Sequence, residues 1–586
     1  MDRGPARRGA LQVWGVDRNR GQDPPRAGGR MARDVDHRRG PPPDRNQTRR
    51  LTMAPVFRRP HRPRPESERP PLLRLISDYP RHWAAARPDD EAVVFGESRW
   101  TYGDLADRVD ACAKALLAHG IRPGDRVATL SPPHPDYYVT FLATVSIGAI
   151  WLGLNPRYQI RELEYAANDA TPRLLFARTL IGDRSYHEEL AALTAHAPSI
   201  ERAVLLDARD SYAAFIAAGR RIPDAELAAA RAAVDPRAPA VIVYTSGTTG
   251  QPKGAMIHQA GLIKVARVQY AIWPIDPGRA LNNLPINHIG CIGDITCDTL
   301  VPGGTLVFQE QFDPGAMLDA VARERLTLFG HVPTALQLVV SHPAFDATDF
   351  SSVQLIIWEG AAAPVELIER LRAKCGELAN AYGMTETVGS VTFTFDADST
   401  DVLANSVGWP VPDYDIRIAG PDGTPVATGE PGEVQVHGDF VTLGYWNRPE
   451  ATAELFTPDG WIRTGDLAEE RPDGAYRLIG RLKEMFKSGG YNVYPREIEQ
   501  VLESHPDVAM AAVIGVPDPL YQEVGHAFIL PHAERQAPSA ESLATHCRSL
   551  LANYKVPKRF TVTSEFPMLP IGKVDKQALK RMARYR

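Results

Sequence analysis

Apolar runs that alternate with amphipathic segments dominate the middle of the chain. The runs 240–243 and 353–357 are rich in β-branched residues and have the length of buried strands. Between such runs apolar residues recur at helical spacing, as in the segment 105–117. Strands that alternate with helices indicate a parallel sheet with crossover helices. The pattern therefore predicts an α/β fold that starts near Pro71.

The stretch from Tyr137 to Leu154 is uncharged and long enough to resemble a membrane span. It contains hydroxyl residues, and Gly148 divides it into a helix-like half and a strand-like half. A buried helix–turn–strand unit explains this pattern better than a membrane helix. We expect no transmembrane segment here.

The pattern of predicted strands and helices changes twice towards the C-terminus. After Thr387 come short strands separated by Gly/Pro turns, which predict a smaller β-rich subdomain. After Arg481 the alternation of helix and strand returns. We place a domain boundary at Lys483, with an N-terminal domain over residues 71–482 and a small C-terminal domain over residues 483–586.

The first 70 residues differ from the rest in charge. They carry a net charge of +10, entirely from arginine, whereas the remaining residues carry −15. Arg/Pro/Gly-rich sequence with few apolar residues cannot bury enough surface to fold, so we expect a disordered basic arm over residues 1–70. Nucleic-acid binding by this arm is the weaker alternative. A translation start at Met53 would remove most of it.

The five cysteines are scattered and include no Cys-x-x-Cys pair. This distribution argues against a disulfide framework and a zinc site, and it favours a reducing, cytoplasmic location.

A loop rich in glycine and hydroxyl residues follows the apolar run 240–243. Its glycines free backbone N–H groups, its hydroxyls donate hydrogen bonds and its lysine adds positive charge, which together suit a polyphosphate. It is not the Walker loop, because its glycines and lysine have the wrong spacing. The predicted phosphate-binding residues are Thr245, Ser246, Gly247, Thr248, Thr249, Gly250 and Lys253.

Three further strings follow this loop in order, at residues 382–386, 464–466 and 480–484. Together the four strings resemble the adenylate-forming superfamily of acyl-CoA synthetases, peptide-synthetase adenylation domains and firefly-type luciferases. The resemblance extends over about residues 71–586. It implies a large N-terminal domain of two αβ subdomains and a β-barrel-like subdomain, then a small, mobile α+β C-terminal domain.

The resemblance implies an ATP/AMP site. Thr385 would hydrogen-bond the α-phosphate, Glu386 would hold Mg²⁺, and Lys573 would bridge the α-phosphate and the substrate carboxylate. Lys573 ends a string that matches the family's last motif except that Leu569 replaces a usual threonine. Glu359 stands where the family commonly has a small residue. The other nucleotide-binding residues implied are Gly360, Ala361, Ala362, Asn380, Ala381, Tyr382 (on adenine), Gly383, and Asp466 and Arg481 (on ribose).

The resemblance also assigns the second substrate and the hinge. Lys483 would be the residue about which the C-terminal domain rotates, and His288 would be a gate beside the acyl group. The residues near the CoA thiol would be Lys487, Ser488, Gly489 and Gly490.

The acid is predicted from the apolar pocket that the resemblance implies. Amino-acid activation requires a carboxylate beside the gate, but Ile289 follows His288, although Asp294 lies further on. We therefore expect an acid:CoA ligase for a fatty, alicyclic or aryl acid, with ATP, Mg²⁺ and CoA. The predicted acyl-pocket residues are His288, Cys291, Ile292, Phe329, Gly330, Trp358 and Met384.

Several alternatives stay open. The adenylate could be passed to a carrier protein or another acceptor, or the protein could bind adenylate without turnover. The expected partners are a small carboxylic acid and CoA, with no nucleic acid. Peripheral contact with a membrane, and a monomer or homodimer, are both compatible with the sequence.

Overall fold

The folded part of the chain begins before residue 71, the start that the composition predicts. The computed structural model describes residues 63–245, 251–276, 278–395, 399–532, 535–569 and 573–584, so the prediction for residues 1–62 lies outside it. Arg69 donates hydrogen bonds of 2.6 and 3.1 Å to the two oxygens of Asp413. Arg267 donates one of 2.6 Å to Glu66. These two ion pairs attach residues 66–69 to the body of the protein and correct the predicted end of the arm.

The largest sheet of the described part has nine strands. Its six central strands are parallel, and antiparallel strands close both edges. From edge to edge the strands are Trp409–Pro410, Gly389–Phe393, Leu378–Met384, Leu355–Glu359, Leu328–His331, Arg279–Asn282, Thr305–Phe308, Glu91–Phe95 and Ser98–Thr101.

A second sheet, also counted over the described ranges, has six strands. Five of them are parallel, and the sixth, Lys253–His258, pairs antiparallel with Pro239–Thr245 at one edge. In spatial order they are Lys253–His258, Pro239–Thr245, Ile150–Leu154, Arg126–Leu130, Leu174–Ala177 and Arg202–Leu205. The two largely parallel sheets confirm the predicted α/β class.

Two smaller sheets follow along the chain. The β-rich subdomain is an antiparallel sheet of Asp415–Ala419, Gly432–His437, Ile462–Glu470 and Tyr476–Arg481. The C-terminal sheet contains Tyr491–Val493, Phe486–Ser488, Gln522–Pro531, Val508–Asp518 and Arg559–Val562. A short hairpin joins Leu180–Ile181 to Arg184–Ser185.

Helices cover the faces of the sheets, and their limits follow local sequence signals. Thr101 and Asp104 form a capping box at the start of Tyr102–Ala118. The uncharged stretch forms the buried helix Pro135–Ser146 and the buried strand Ile150–Leu154, as predicted. Among the described residues, no helix has the length and apolar character needed to cross a bilayer.

The remaining helices of six or more residues are Tyr79–Ala86, Ile160–Ala170, His187–His196, Arg209–Ala218, Asp224–Ala232, Gln259–Ile272, Pro314–Glu324, Pro333–Val340, Val365–Arg372, Thr400–Asn405, Pro449–Leu455, Pro495–Glu503, Ala540–Leu550 and Lys576–Arg584. A π-helix, Gly290–Cys297, is followed at once by the single turn Asp298–Leu300. Shorter 3₁₀ turns lie at Glu66–Glu68, Ile76–Asp78, Gly219–Arg221, Thr385–Thr387 and Asn553–Lys555.

The carboxyl ends of three neighbouring strands of the large sheet meet at one edge. These strands end at His331, Glu359 and Met384. Ligands of open α/β sheets bind at such edges, because the loops that leave them converge there.

Candidate active site

A cavity of about 1880 Å³ opens at this edge of the large sheet. Residues from both sheets, from the β-rich subdomain and from the C-terminal segment line it. The structure brings together there the predicted residues Thr245, Lys253, His288, Gly330, Trp358, Gly360, Ala361, Ala362, Asn380, Ala381, Tyr382, Gly383, Met384, Thr385, Glu386, Asp466, Arg481, Lys483 and Lys573.

The predicted phosphate loop leaves the strand Pro239–Thr245 and returns as Lys253–His258. Thr245 and Lys253 are paired across this antiparallel ladder, so both ends of the loop are fixed at the cavity. The residues Ser246, Gly247, Thr248, Thr249 and Gly250 lie outside the described residues, and their role stays a prediction. The ammonium of Lys253 lies 5.1 Å from the centre of the Tyr445 ring.

Tyr382, Asp466 and Arg481 form a connected group on one wall. The Tyr382 hydroxyl donates a 2.9 Å hydrogen bond to Asp466. The Arg481 guanidinium lies 2.8 Å from the other Asp466 oxygen and belongs to the paired strand. Asp466 raises the pKa of Arg481 through this charge pair. The group presents a fixed carboxylate and guanidinium to the cavity, which suits the hydroxyls of a ribose.

Glu386 is buried in the middle of the 3₁₀ turn Thr385–Thr387. Tyr445 donates a 2.6 Å hydrogen bond to its carboxyl group. Burial raises the pKa of Glu386, while the Tyr445 hydrogen bond opposes that rise. A single buried carboxylate held in place beside a phosphate loop fits Mg²⁺, which takes one or two protein carboxylates and fills its other positions with phosphate oxygens and water.

Lys573 comes from the C-terminal domain and reaches the nucleotide wall. A Cβ built on Gly360 would lie 3.1 Å from Lys573 Cε, so the lysine packs directly over that glycine. Hydrogen bonds between Leu569 and Lys573 and between Asp575 and Pro567 hold the two sides of the loop that presents it. Burial and the nearby Arg481 lower the pKa of Lys573.

His288 is neutral at physiological pH, because burial and the charge of Lys573 lower its pKa to about 4. Its Nδ1 accepts a 3.0 Å hydrogen bond from the Gly290 amide. The proton of the neutral ring is therefore on Nε2.

The four residues predicted near the CoA thiol do not line the cavity, whereas the predicted hinge residue Lys483 does. Lys487 and Ser488 belong to the strand Phe486–Ser488, which turns into Tyr491–Val493. Gly489 and Gly490 make this turn with φ values of +57° and +88°, which favour glycine. The structure thus places Lys573 at the cavity while the CoA hairpin stands elsewhere on the C-terminal domain.

Three predicted acyl-pocket residues lie behind the cavity wall. Cys291, Ile292 and Phe329 are fully buried and do not line the cavity. The Cys291 thiol lies 3.3 Å from the Tyr137 hydroxyl and 3.4 Å from the Asn282 side-chain oxygen. The π-helix turns Cys291 and Ile292 towards the core, and the sequence gives no sign of that local winding. Phe329 is buried on the strand Leu328–His331.

Sequence reasoning missed Tyr445, which holds Glu386, and Asp298 in the cavity wall, and it noted Asp294 without assigning it to the site. An available signal was the presence of two aspartates, four residues apart, in the otherwise apolar segment 289–301. Nothing in the sequence pairs Tyr445 with Glu386, which is 59 residues earlier.

Comparison with known proteins identifies the class of enzyme that this site defines. The model of the AMP-binding enzyme family matches residues 80–446, and that of the AMP-binding enzyme C-terminal domain matches residues 497–573. The chain therefore belongs to the AMP-binding enzyme family. This confirms the predicted resemblance to adenylate-forming acyl-CoA synthetases.

The alignments with individual relatives extend over nearly the whole length of each relative. The chain is 38% identical to a feruloyl-CoA synthase of an Amycolatopsis species, over 86% of this chain and 98% of that protein. It is 33% identical to an indoleacetate–CoA ligase of Aromatoleum aromaticum, over 86% of this chain and 98% of that protein. Among solved structures, the amide bond synthetase McbA of Marinactinospora thermotolerans superposes with a TM-score of 0.76 at 30% identity, over 87% of this chain and 99% of McbA.

Proposed function

We propose that this protein joins a hydrophobic, ring-bearing carboxylic acid to CoA at the expense of ATP, releasing pyrophosphate and AMP. The class, an AMP-forming acid–CoA ligase, follows from its family and its curated relatives. The observation that carries the proposal is that Lys573 reaches Gly360 in the same cavity as Glu386 and the Asp466–Arg481 pair. The names of the feruloyl-CoA synthase and the indoleacetate–CoA ligase support a ring.

In the first step a carboxylate oxygen of the acid attacks the α-phosphorus of ATP, and the bond from that phosphorus to the pyrophosphate oxygen breaks. Two negative groups must meet, so positive charge at the meeting point lowers the barrier. Lys573 supplies that charge, and Asp466 with Arg481 fixes the nucleoside. Glu386 would hold Mg²⁺, which neutralises phosphate charge when it is bound.

In the second step the CoA sulfur attacks the acyl carbon, the bond from that carbon to the phosphate oxygen breaks, and AMP leaves. The thiol proton passes to solvent. His288 lines the cavity as a neutral imidazole with its proton on Nε2, so it can donate a hydrogen bond without adding charge. The hairpin with Lys487 and Gly489 would approach for this step after the C-terminal domain turns about Lys483.

The walls between the nucleotide residues and the π-helix suit an apolar ring. Leu328, Leu355, Ile357, Trp358 and Met384 all line the cavity. Burial of a ring against such side chains yields about 25 cal/mol per Å² of apolar surface, which favours an aryl or alicyclic acid over a small polar one.

An amine is a second candidate acceptor, because the amide bond synthetase McbA matches this chain over almost its entire length. A carrier protein is a third. The acceptor decides which compound releases AMP from the adenylate.

The test is pyrophosphate exchange into ATP with a panel of fatty, alicyclic and aryl acids, followed by AMP release with CoA, an amine or no acceptor. We expect exchange with ring-bearing acids and AMP release with CoA. Exchange with amino acids alone would contradict the proposed acid, and AMP release with amines but not CoA would contradict the acceptor.

A further inference from the structure

Three acidic side chains lie close together on the inner wall of the cavity. Asp294, Asp298 and Glu359 all line it. Burial raises the pKa of each carboxyl, and the nearby Glu359 raises the pKa of both aspartates further. These shifts favour the protonated, neutral form of the aspartates.

Ser390 connects two members of this acidic cluster. Its hydroxyl donates a 2.9 Å hydrogen bond to Glu359, and its backbone amide donates to Asp294. The neighbouring Gly389 lets Asp294 approach closely, because a Cβ there would lie 2.7 Å from the Asp294 Oδ1. The π-helix Gly290–Cys297 carries Asp294, and Asp298 follows it directly. π-Helical turns occur frequently at functional sites.

The two aspartates lack protein partners for much of their hydrogen-bonding capacity. Among the described residues, Asp294 Oδ1 and both oxygens of Asp298 are buried without a hydrogen-bond partner. The Tyr414 hydroxyl, close enough for both aspartates to raise its pKa, is also buried without one. A buried polar group without a hydrogen-bond partner destabilises the folded protein, so several together indicate a compensating ligand or function.

The contacts place Asp294 away from the reacting end of the cavity. Lys573 packs over Gly360, which directly follows Glu359 in the chain. Ser390 donates a hydrogen bond to Glu359, and the neighbouring Gly389 lies against Asp294. The series Lys573, Glu359, Ser390, Asp294 therefore leads from the adenylate-forming end of the cavity to the π-helix, and Asp298 directly follows that helix.

No group of three or more His, Cys, Asp or Glu side chains in the described ranges could hold a metal ion. Neutral carboxyl groups offer a carbonyl oxygen that accepts and an O–H that donates. A hydroxyl or ring N–H group on the substrate matches this pattern, whereas an unsubstituted alkyl chain leaves it unmatched.

We propose that Asp294 and Asp298 form a polar subsite at the inner end of the acyl cavity, which binds a hydroxyl or ring N–H group of the acid remote from its carboxylate. This inference rests on the proposed function, and it narrows the substrate to a ring-bearing acid with a distal hydrogen-bonding group. The subsite selects against acids of equal size that carry a methyl group in that place.

The test compares 4-hydroxycinnamate with 4-methylcinnamate, whose hydroxyl and methyl groups have similar volume. The readout is the kcat/KM of pyrophosphate exchange. We expect the wild-type protein to prefer the hydroxylated acid by about ten-fold or more, since a site built to hydrogen-bond a hydroxyl rejects the analogue that lacks it. Asp294→Leu and Asp298→Leu should abolish the preference and retain or improve exchange with 4-methylcinnamate.

Asp294→Asn and Asp298→Asn keep size and hydrogen-bonding capacity, so they should retain most of the preference and serve as folding controls. Glu310→Gln alters another acid of the same cavity wall and should leave the preference unchanged. Equal rates for both acids in the wild type, or a preference that survives both leucine variants, would overturn the inference. A higher rate with 4-(aminomethyl)cinnamate would overturn it in favour of a cation site. Exchange with none of these acids nor with any other would contradict the proposed function itself.

Discussion

Loss of the Tyr445 hydroxyl should raise the pH and the magnesium concentration that the adenylation step requires. Tyr445 donates a 2.6 Å hydrogen bond to the buried carboxyl of Glu386. This hydrogen bond lowers the pKa of Glu386, while burial raises it. Tyr445→Phe removes the opposing contribution and keeps the ring in place. The pKa of Glu386 therefore rises further.

The magnitude follows from the kind of bond that is lost. A hydrogen bond to a charged group contributes about 1.5–3 kcal/mol. Because Tyr445 is only partly buried, we take the lower end, which corresponds to a shift of about one pKa unit. In the proposed role Glu386 holds Mg²⁺ as an ionised carboxylate, so activity should be lost as the pH falls through the pKa of Glu386. The acidic limb of the pH profile should move up by about one unit.

The assay is pyrophosphate exchange as a function of pH and of Mg²⁺ concentration. At fixed pH below the limb, Tyr445→Phe should need roughly ten-fold more Mg²⁺ for half-maximal exchange. Tyr102→Phe is the matched control, because the buried hydroxyl of Tyr102 donates its hydrogen bond to the Gly304 carbonyl and not to a carboxylate. An unchanged acidic limb and magnesium requirement in a folded Tyr445→Phe protein would refute this role.

Three further outcomes are expected. Lys573→Ala should slow pyrophosphate exchange by about 10²–10³-fold and largely spare thioester formation from a supplied acyl adenylate. Lys487→Ala should instead impair thioester formation and spare exchange. Equal loss of both half-reactions in each variant would contradict a C-terminal domain that turns between the two steps. The His288 ring should show no titration between pH 5.5 and 8 by NMR, since its pKa is about 4; a midpoint near 6.5 would contradict its burial. Arg69→Ala should lower the free energy of unfolding by about 1.5–3 kcal/mol, measured by urea denaturation, because it removes two hydrogen bonds to the charged Asp413 and leaves that carboxylate only its 3.6 Å pair with Lys264.

The sequence predicted the parts of the site that lie on short, ordered strings. Tyr382, Glu386, Asp466, Arg481 and Lys573, which the resemblance assigned from these strings, all line the cavity. Tyr382 and Glu386 lie at the carboxyl end of a parallel strand, where the α/β pattern predicts a ligand site. The strand before the phosphate loop was predicted from its β-branched run and is present as Pro239–Thr245.

What the sequence did not predict depends on long-range contacts and local winding. Tyr445 and Glu386 meet only because the loop 442–446 packs beside the strand that contains Met256. Cys291 and Ile292 were predicted to line the acyl pocket that the resemblance implies, but both are buried on the π-helix and do not line the cavity. Residues 66–69 have the composition of a disordered arm, yet Glu66 pairs with Arg267 and Arg69 pairs with Asp413, both distant in sequence. Composition cannot reveal such partners.

The most direct test of the central claim follows the oxygen atoms of the acid. If the carboxylate attacks the α-phosphorus and CoA then displaces AMP, one carboxylate oxygen must leave with the AMP. With an ¹⁸O₂-labelled ring-bearing acid, ATP, Mg²⁺ and CoA, mass spectrometry should find one ¹⁸O in the AMP, one in the acyl-CoA and none in the pyrophosphate. Unlabelled AMP, or label in the pyrophosphate, would contradict an acyl-adenylate intermediate and with it the account of this site.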